Sequence, residues 1–162
     1  MSYRSIMVLF LVLPGLSCGI YTFSPSALGD VKTAAILLFE NQTTESGLRE
    51  QLSEKLSQAF VSDNTLKVVR EQQADAILRG AVVSYSREAY TYSRAEVVSE
   101  YICRIGLNVE FVNRRTGKII WGEKGMSNWG TYDAVSETED IGKSRAIGKL
   151  VEDILNKTVK GW

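Results

Sequence analysis

The chain has 162 residues, with 19 Lys and Arg balanced by 19 Asp and Glu and no histidine, so its length and composition fit one ordinary folded domain. The zero net charge argues against a nucleic-acid-binding protein, because such proteins need an excess of cations to bind phosphates. The absence of histidine excludes the Ser/His and Cys/His catalytic couples and histidine-containing zinc sites, and we expect no metal site.

Residues 1–17 have the layout of a secretory signal peptide. Arg4 is their only charged residue, and the apolar run Ile6–Leu13 is 8 residues long, too short to cross a hydrocarbon layer of about 30 Å as a helix. The following Cys18 resembles the processing site of a bacterial lipoprotein signal, although Gly15 stands where such signals usually carry Leu. The sequence therefore predicts cleavage before Cys18, with a covalent lipid on that cysteine as the membrane anchor and no other cofactor.

Residues 18–30 are predicted to form a lipidated connector, and residues 31–162 a single domain. An acylated Cys18 has no free thiol, which leaves Cys103 without a partner for an intramolecular disulfide. We therefore expect Cys103 to be buried in a strand as a small apolar residue.

The first half of the domain predicts a strand, a helix and a second short strand. Val31–Glu40 is an apolar run of strand length that ends in polar residues. Beyond it, apolar residues recur every three to four positions, which is the pattern of a helix with one buried stripe. Thr44 or Ser46 is the expected N-cap of this helix, and Asp63-Asn64 its end. A short strand around Lys67 follows, and then a polar link with room for one helical turn.

The middle of the chain predicts long antiparallel strands. Every second residue from Tyr101 to Phe111 is apolar, with Ile102 as the one exception on the polar face, so one face of the sheet should be buried. Arg114–Gly117 is expected to be the turn that leads into a returning strand at Ile119. The segment 84–99, rich in Ser, Tyr and charged residues, is either an extended hairpin tip or a mobile loop.

The last segment predicts a second helix. Ser136 and Glu139 have the spacing of a capping box, and an apolar stripe from Ile141 to Leu155 follows, with Gly161 as the expected end. The order of elements is strand, helix, several strands, helix. It predicts an α+β fold, a two-layer sandwich with two helices on one face of a mostly antiparallel, mixed sheet of about four strands.

Several segments together resemble one protein family. They are Cys18–Phe23, Val31–Ile36 with Phe39–Glu45, Ala74–Gly80 and Asn113–Trp121. In this order and spacing they are similar to the LptE family of lipopolysaccharide-assembly lipoproteins, over almost the whole chain from Cys18. One part of this pattern, a strand followed by Phe-Glu-Asn-x-Thr and a helix, is shared with other periplasmic lipoproteins of the CsgG and LpoB type. The later segments therefore distinguish the LptE family from those proteins.

The resemblance implies a non-enzymatic lipoprotein on the periplasmic side of the outer membrane. Such proteins plug the lumen of the large β-barrel LptD, support its assembly and help lipopolysaccharide to reach the cell surface. The resemblance also implies that lipopolysaccharide is bound through basic residues in the loop before the long middle strand. Arg94 matches that position and is the first candidate, and Arg87 is the second by proximity. The alternative is that Arg94 is an ordinary solvated loop arginine.

Arg114, Arg115 and Lys118 form a denser basic cluster and are further candidates for binding lipopolysaccharide. A hairpin turn is, however, often charged simply because it is exposed to water. Two other functions stay open from the sequence: a synthase regulator or secretion-pore component of the CsgG/LpoB type, and a hydrolase that uses Glu100 and Glu110. The hydrolase is disfavoured because ten residues of extended strand separate these carboxylates by about 33 Å.

Overall fold

The computed structural model describes residues 28–160, so the predicted signal peptide, the connector up to residue 27 and the helix end at Gly161 lie outside the described residues. Within this range the chain forms six strands and two long helices. Their bounds, in chain order, are β1 Thr33–Ile36, β2 Glu40–Asn41, α1 Leu48–Asp63, β3 Lys67–Val68, β4 Ala76–Tyr92, β5 Val98–Asn113, β6 Ile119–Asp133 and α2 Glu139–Val159. The polar link predicted before β4 does contain one 3-10 turn, Glu71–Gln73.

The six strands form one mixed sheet in the order β3-β1-β4-β5-β6, with β2 also paired to β4. β1 pairs in parallel with β3 and β4, whereas β4, β5 and β6 are antiparallel over their long lengths. The predicted α+β class is confirmed, with six strands rather than about four. One reason is that the predicted first strand divides: the Phe39 N–H donates to Ser53 Oγ of α1 instead of to a neighbouring strand, and the Phe39 ring is buried.

The sheet has two ends, the tip end and the entry end. The tip end is where β4 turns into β5, at residues 93–97, and the entry end is the opposite one, where Leu28 leads into β1 and β5 turns into β6 at residues 114–118. For segment 84–99 the structure shows the extended hairpin, because β4 continues to Tyr92 with register shifts that accommodate the extra residues.

Both helices cover the same face of the sheet. The alternation predicted for β5 is confirmed: Ile105, Leu107, Val109 and Phe111 are buried beneath the helices, and Cys103 is buried as expected. The helices contribute two apolar stripes to this core, consisting of Leu48, Leu52, Leu56 and Phe60 in α1 and Ala146, Ile147, Leu150 and Ile154 in α2. Neither helix of residues 28–160 covers the opposite face of the sheet, although Ile102 is also buried there.

The predicted helix caps are wrong at both N-termini. The N-cap of α1 is Gly47 with φ 78°, because Thr43 and Glu45 belong to a tight turn built on the Asn41 side chain. The N-cap of α2 is Thr138, and the capping box of Ser136 and Glu139 does not form. The Ser136 hydroxyl and N–H donate instead to Asp133 Oδ1, in a turn that precedes the helix. Glu139 is thereby free to bond elsewhere.

Two glycines set the distance between α2 and the sheet near the tip end. A Cβ atom on Gly130 of β6 would lie 2.3 Å from the Gly142 carbonyl oxygen, and one on Gly142 would lie 2.8 Å from the Tyr132 ring. Both distances are below any normal contact, so only glycine permits this approach. The N-terminal turns of α2 therefore rest directly on β5 and β6, which brings their polar side chains within reach of the hairpin.

Candidate functional site

The predicted lipopolysaccharide-binding residues fall into two groups at opposite ends of β5. Arg87 and Arg94 lie towards the tip end, whereas Arg114, Arg115 and Lys118 lie in the turn at the entry end. β5 has 16 residues, which corresponds to about 50 Å of extended strand. The two groups therefore cannot form one site.

Arg94 lies in the tip turn, where its side chain is exposed. Backbone hydrogen bonds close the turn, from Ser93 N–H to the Val97 carbonyl and from Glu96 N–H to the Ser93 carbonyl, at 2.8 and 3.0 Å. Glu96 adopts φ 58°, the left-handed conformation that such tight turns use. Within residues 28–160, the Arg94 guanidinium forms no hydrogen bond or ion pair, so the turn presents a free cation on a fixed backbone.

Exposed apolar side chains flank the turn that carries this cation, and an aromatic pair lies further along the hairpin. Tyr92 and Val97 flank the turn and are 62% and 63% exposed. Tyr90 lies next along β4, with its ring 6.3 Å from that of Trp129 on β6, and the Lys149 ammonium lies 3.8 Å above the Trp129 ring. An amphipathic surface of this kind can contact both acyl chains and phosphate groups, because tyrosine and tryptophan combine an apolar body with a polar tip.

Arg87, the second candidate, is held by intramolecular contacts. Its Nε donates to the Tyr132 hydroxyl at 2.5 Å and lies 3.3 Å from Glu139 Oε2, and its guanidinium carbon lies 3.9 Å from the centre of the Tyr101 ring. These contacts connect the three long strands to the start of α2. Arg87, which was grouped with Arg94 because the two are close in sequence, therefore stabilises the hairpin.

Lys143 of α2 lies at the centre of the same network. It is only 7% exposed and forms ion pairs with Glu45, Glu139 and Asp140, of which the pair with Glu45 joins the start of α2 to the loop before α1. Burial opposes the charge of Lys143, but the hydrogen bonds to Glu45 and Glu139 outweigh it, so the pKa of Lys143 is raised. The ammonium is therefore charged at neutral pH and bound on several sides.

Glu139 completes the network with the hydroxyl of the partly buried Tyr85, which donates to Glu139 Oε1 at 2.6 Å. This hydrogen bond, together with the contacts to Lys143 and Arg87, lowers the pKa of Glu139. Burial raises the pKa of Tyr85 and that of the adjacent Cys103 thiol above their usual ranges. Glu139 is thus an anion whose charge is neutralised by Lys143 and Arg87, while Tyr85 and Cys103 stay protonated. These contacts join β4 to α2 without exposing a reactive group.

At the entry end, Arg114 also has a structural role. Its Nε donates to the Ala74 carbonyl at 2.6 Å, and its backbone N–H donates to the Asp75 carbonyl at 2.8 Å. The Asp75 carboxylate in turn accepts hydrogen bonds from the Thr33 hydroxyl and from the N–H groups of Lys32 and Thr33. The bond from Thr33 is the main reason that the pKa of Asp75 is lowered. Arg114 and Asp75 thereby tie β5, β4 and β1 together.

Arg115 and Lys118 are exposed like Arg114 but lack its contacts with other segments. Their turn is closed by the Asn113 side chain, whose Oδ1 accepts the N–H groups of Arg115 and Thr116, and by Gly117 in the left-handed conformation with φ 69°. Among the described residues, neither the Arg115 nor the Lys118 side chain forms a hydrogen bond or an ion pair. The basic cluster therefore contains one structural cation and two free ones.

An open groove of about 580 Å³ lies on the helix-free face of the sheet. Its floor includes Arg79 and Glu110, which form an ion pair at 3.0 Å, and its rim includes the exposed side chains of Leu38 and Ile119. None of the predicted lipopolysaccharide-binding residues lines this groove. Sequence patterns gave no indication of it, because it forms where the chain after β1 passes opposite the start of β6.

The described part of the chain contains no cluster of three side chains that could hold a metal ion. Over residues 28–160, neither helix is long and apolar enough to span a bilayer. Sequence reasoning missed the network around Lys143, since Glu45 lies 98 residues away from it. The one available signal was the i,i+4 spacing of Glu139 and Lys143, which is common on helix surfaces and does not indicate burial.

Several bacterial proteins of solved structure have a similar fold, and one of them is described as a lipoprotein. The chain is similar to a point variant of the PelC dodecamer from Paraburkholderia phytofirmans, with a TM-score of 0.53, 18% identity, and coverage of 84% of this chain and 94% of that chain. A minor lipoprotein from Acinetobacter baumannii gives a TM-score of 0.55 at 15% identity, covering 81% and 94%. The hypothetical protein CT253 from Chlamydia trachomatis gives 0.56 at 10% identity, covering 79% and 95%. At these identities the likeness shows the fold alone.

No curated protein sequence matches this chain. One family model does match it, the LptE model described as lipopolysaccharide-assembly, over residues 31–158. This range contains all of the strands and both helices up to the last turn of α2. The sequence segments, the α+β fold and the family model agree, and the chain belongs to the LptE family.

Proposed function

We propose that this protein is a non-enzymatic lipoprotein of the outer membrane that plugs an LptD-type β-barrel and supports its assembly. Anchored on the periplasmic side through a lipid on Cys18, it helps to deliver lipopolysaccharide to the outer leaflet. Family membership supports the general role in lipopolysaccharide assembly. The envelope lipoproteins among proteins of similar fold are compatible with this role.

The observation that carries the lipopolysaccharide contact is the free guanidinium of Arg94 in a closed turn between the exposed side chains of Tyr92 and Val97. A phosphate of lipid A is a good partner for such a group, because arginine binds phosphate oxygens with two parallel hydrogen bonds. The neighbouring tyrosine and valine offer apolar surface to an acyl chain at the same point. Arg87 is second to Arg94 because Tyr132 and Glu139 already occupy its guanidinium.

Binding to purified lipopolysaccharide tests this assignment. Arg94→Glu should weaken binding by about tenfold, the loss of one charge-assisted contact. Arg70→Glu is the matched control, since Arg70 is also an exposed arginine but lies between β3 and β4, far from the tip turn. Equal binding by the wild type and Arg94→Glu, or an equal loss with Arg70→Glu, would remove Arg94 from the site.

The barrel partner is tested by co-purification from outer membranes with the tagged full chain. We expect a very large β-barrel to be recovered, and Arg94→Glu should leave this association unchanged. Recovery of a peptidoglycan synthase or of a ring of identical subunits would instead favour the regulator or secretion-pore function. The lipid is tested separately by labelling cells with a fatty acid: the wild type should carry the label and Cys18→Ser should not.

A further inference from the structure

The neutral chain separates its charge between the two ends of the sheet. The segments at the entry end contain eight Lys and Arg against five Asp and Glu, whereas those at the tip end contain six against nine. The entry-end segments are 28–33, 63–76, 113–123 and 157–160, and the tip-end segments are 43–50, 84–104 and 130–145. The strand and helix directions bring these sequence-distant segments together, so the protein has a basic end and an acidic end.

The basic end also has the more available cations. Arg115 and Lys118 project from its turn without an ion pair to any described residue, and Lys32 lies close by in the chain that enters β1. Asn113 and Gly117 fix the conformation of the turn, so the side chains of Arg115 and Lys118 extend from a backbone of defined shape. An extended anionic surface can meet several such cations at once without a preformed pocket.

The entry of the chain limits how far the entry end can lie from the membrane. Leu28 packs against the core at the entry end and lies ten positions after Cys18. Ten residues span at most about 36 Å when fully extended. A lipid on Cys18 therefore keeps the entry end within about 36 Å of the bilayer, whereas the tip turn lies about 50 Å further along β5.

We infer that the entry end is a docking surface for the anionic phospholipid headgroups of the bilayer that holds the chain, with Arg115 and Lys118 as the contacting cations. This inference depends on the lipid anchor of the proposed function for its orientation. Charge complementarity supports it, because basic residues next to a membrane anchor gain affinity for anionic lipid, about fivefold for each cation. The lipid anchor and the basic turn would then provide two attachments to the bilayer, both at the entry end.

Fluorescence quenching on vesicles tests the docking. The full chain, carrying its lipid, is inserted into phosphatidylcholine vesicles with or without phosphatidylglycerol, and a quencher is attached to the lipid headgroups. A dye is attached to the cysteine of the variant Thr116→Cys, in the entry-end turn, or of the control variant Ala95→Cys, in the tip turn. Cys103 is fully buried and does not compete for the dye. We expect quenching at position 116 that depends on phosphatidylglycerol and decreases with salt, and little at position 95.

Charge reversal supplies the second comparison. Arg115→Glu combined with Lys118→Glu should abolish the dependence on phosphatidylglycerol, whereas Arg94→Glu should not change it. Quenching at position 116 that is equal on both kinds of vesicle, or stronger quenching at position 95, would overturn the docking. If the chain carries no lipid, the proposed anchor fails, yet binding to phosphatidylglycerol vesicles at low salt still tests the basic surface. In that case the double variant should bind at least tenfold more weakly, and unchanged binding would overturn the inference.

Discussion

The two ends of β5 show how differently the same residue type can be used in one molecule. Near the tip end, Arg87 is bonded to Tyr132 and Glu139, while Arg94 is free. At the entry end, Arg114 is bonded to the Ala74 carbonyl, while the adjacent Arg115 is free. In each pair, the arginine whose side chain bonds to another segment is structural, whereas the other forms no side-chain bond to a described residue and is available for a ligand. A basic cluster in a sequence is therefore not a measure of free charge.

The ends also differ in how they are stabilised. The tip end depends on a buried ionic network and on the close approach of α2 at Gly130 and Gly142. The entry end depends on exposed hydrogen bonds around Asp75. We therefore expect substitutions at the tip end to have larger effects on stability than substitutions at the entry end.

Gly130→Ala should have the largest effect, a loss of about 3 kcal/mol in the free energy of unfolding, because the new methyl group collides with the α2 backbone. Urea unfolding measures it. Gly148→Ala is the matched control: it lies within α2 with no atom within 4 Å of the added Cβ, and should be neutral or stabilise the protein by up to about 1 kcal/mol. Equal destabilisation by both would show that α2 does not rest on the sheet through Gly130.

Lys143→Met should destabilise the protein by about 2 kcal/mol, because it leaves Glu45 and Glu139 without their buried cation. The value is moderate because both glutamates are about one-third exposed and water can compensate in part. Lys157→Met, which removes a surface ion pair with Glu123, should change stability by no more than about 0.5 kcal/mol. A similar effect of the two variants would contradict the central role of Lys143.

The same network should make stability depend on pH at both extremes. The pKa of Glu139 is lowered by folding, so its contribution is present above the unfolded value of about 4.3 and is lost as the pH falls through the folded value. The pKa of Lys143 is raised, so its contribution is complete below about 10.4 and is lost as the pH rises through its folded value. Glu139→Gln should reduce the loss on the acid side when unfolding is followed from neutral to acidic pH.

Asp75→Ala tests the entry end and should cost about 1.5 kcal/mol, because three donors from Lys32 and Thr33 lose their charged acceptor but stay accessible to water. Urea unfolding at neutral pH measures the loss. Asp75→Asn retains one carbonyl oxygen as an acceptor and should lose less. A cost above that of Lys143→Met would reverse the expected order of the two ends.

The smallest effects separate the two arginines near the tip. Arg87→Gln should cost about 1 kcal/mol through loss of the Tyr132 hydrogen bond and the contact with Tyr101. Arg94→Gln should change stability by less than about 0.5 kcal/mol, as expected for an exposed turn residue. Parallel unfolding of the two variants measures the difference. If Arg94→Gln is the more destabilising, the turn arginine has a structural partner and the assignment of roles is wrong.

The sequence by itself determined the elements whose signal is local. The repeats of Leu48, Leu52 and Leu56 and the alternation through β5 depend only on which side chains face the core, and both were confirmed. The helix caps were not predictable in the same way. Ser136 has a near neighbour, Asp133, that competes for its hydroxyl, and a spacing rule does not register such competition.

Only the tertiary structure decided which charges are free. Lys143 meets Glu45 across 98 residues, and Arg114 reaches Ala74 across 40, so no periodicity or motif could indicate either contact. The same holds for the separation of charge between the two ends, which comes from the antiparallel course of strands and helices. Helical and strand periods arise from backbone geometry over a few residues, whereas ion pairs and surface potential arise from the packing of distant segments.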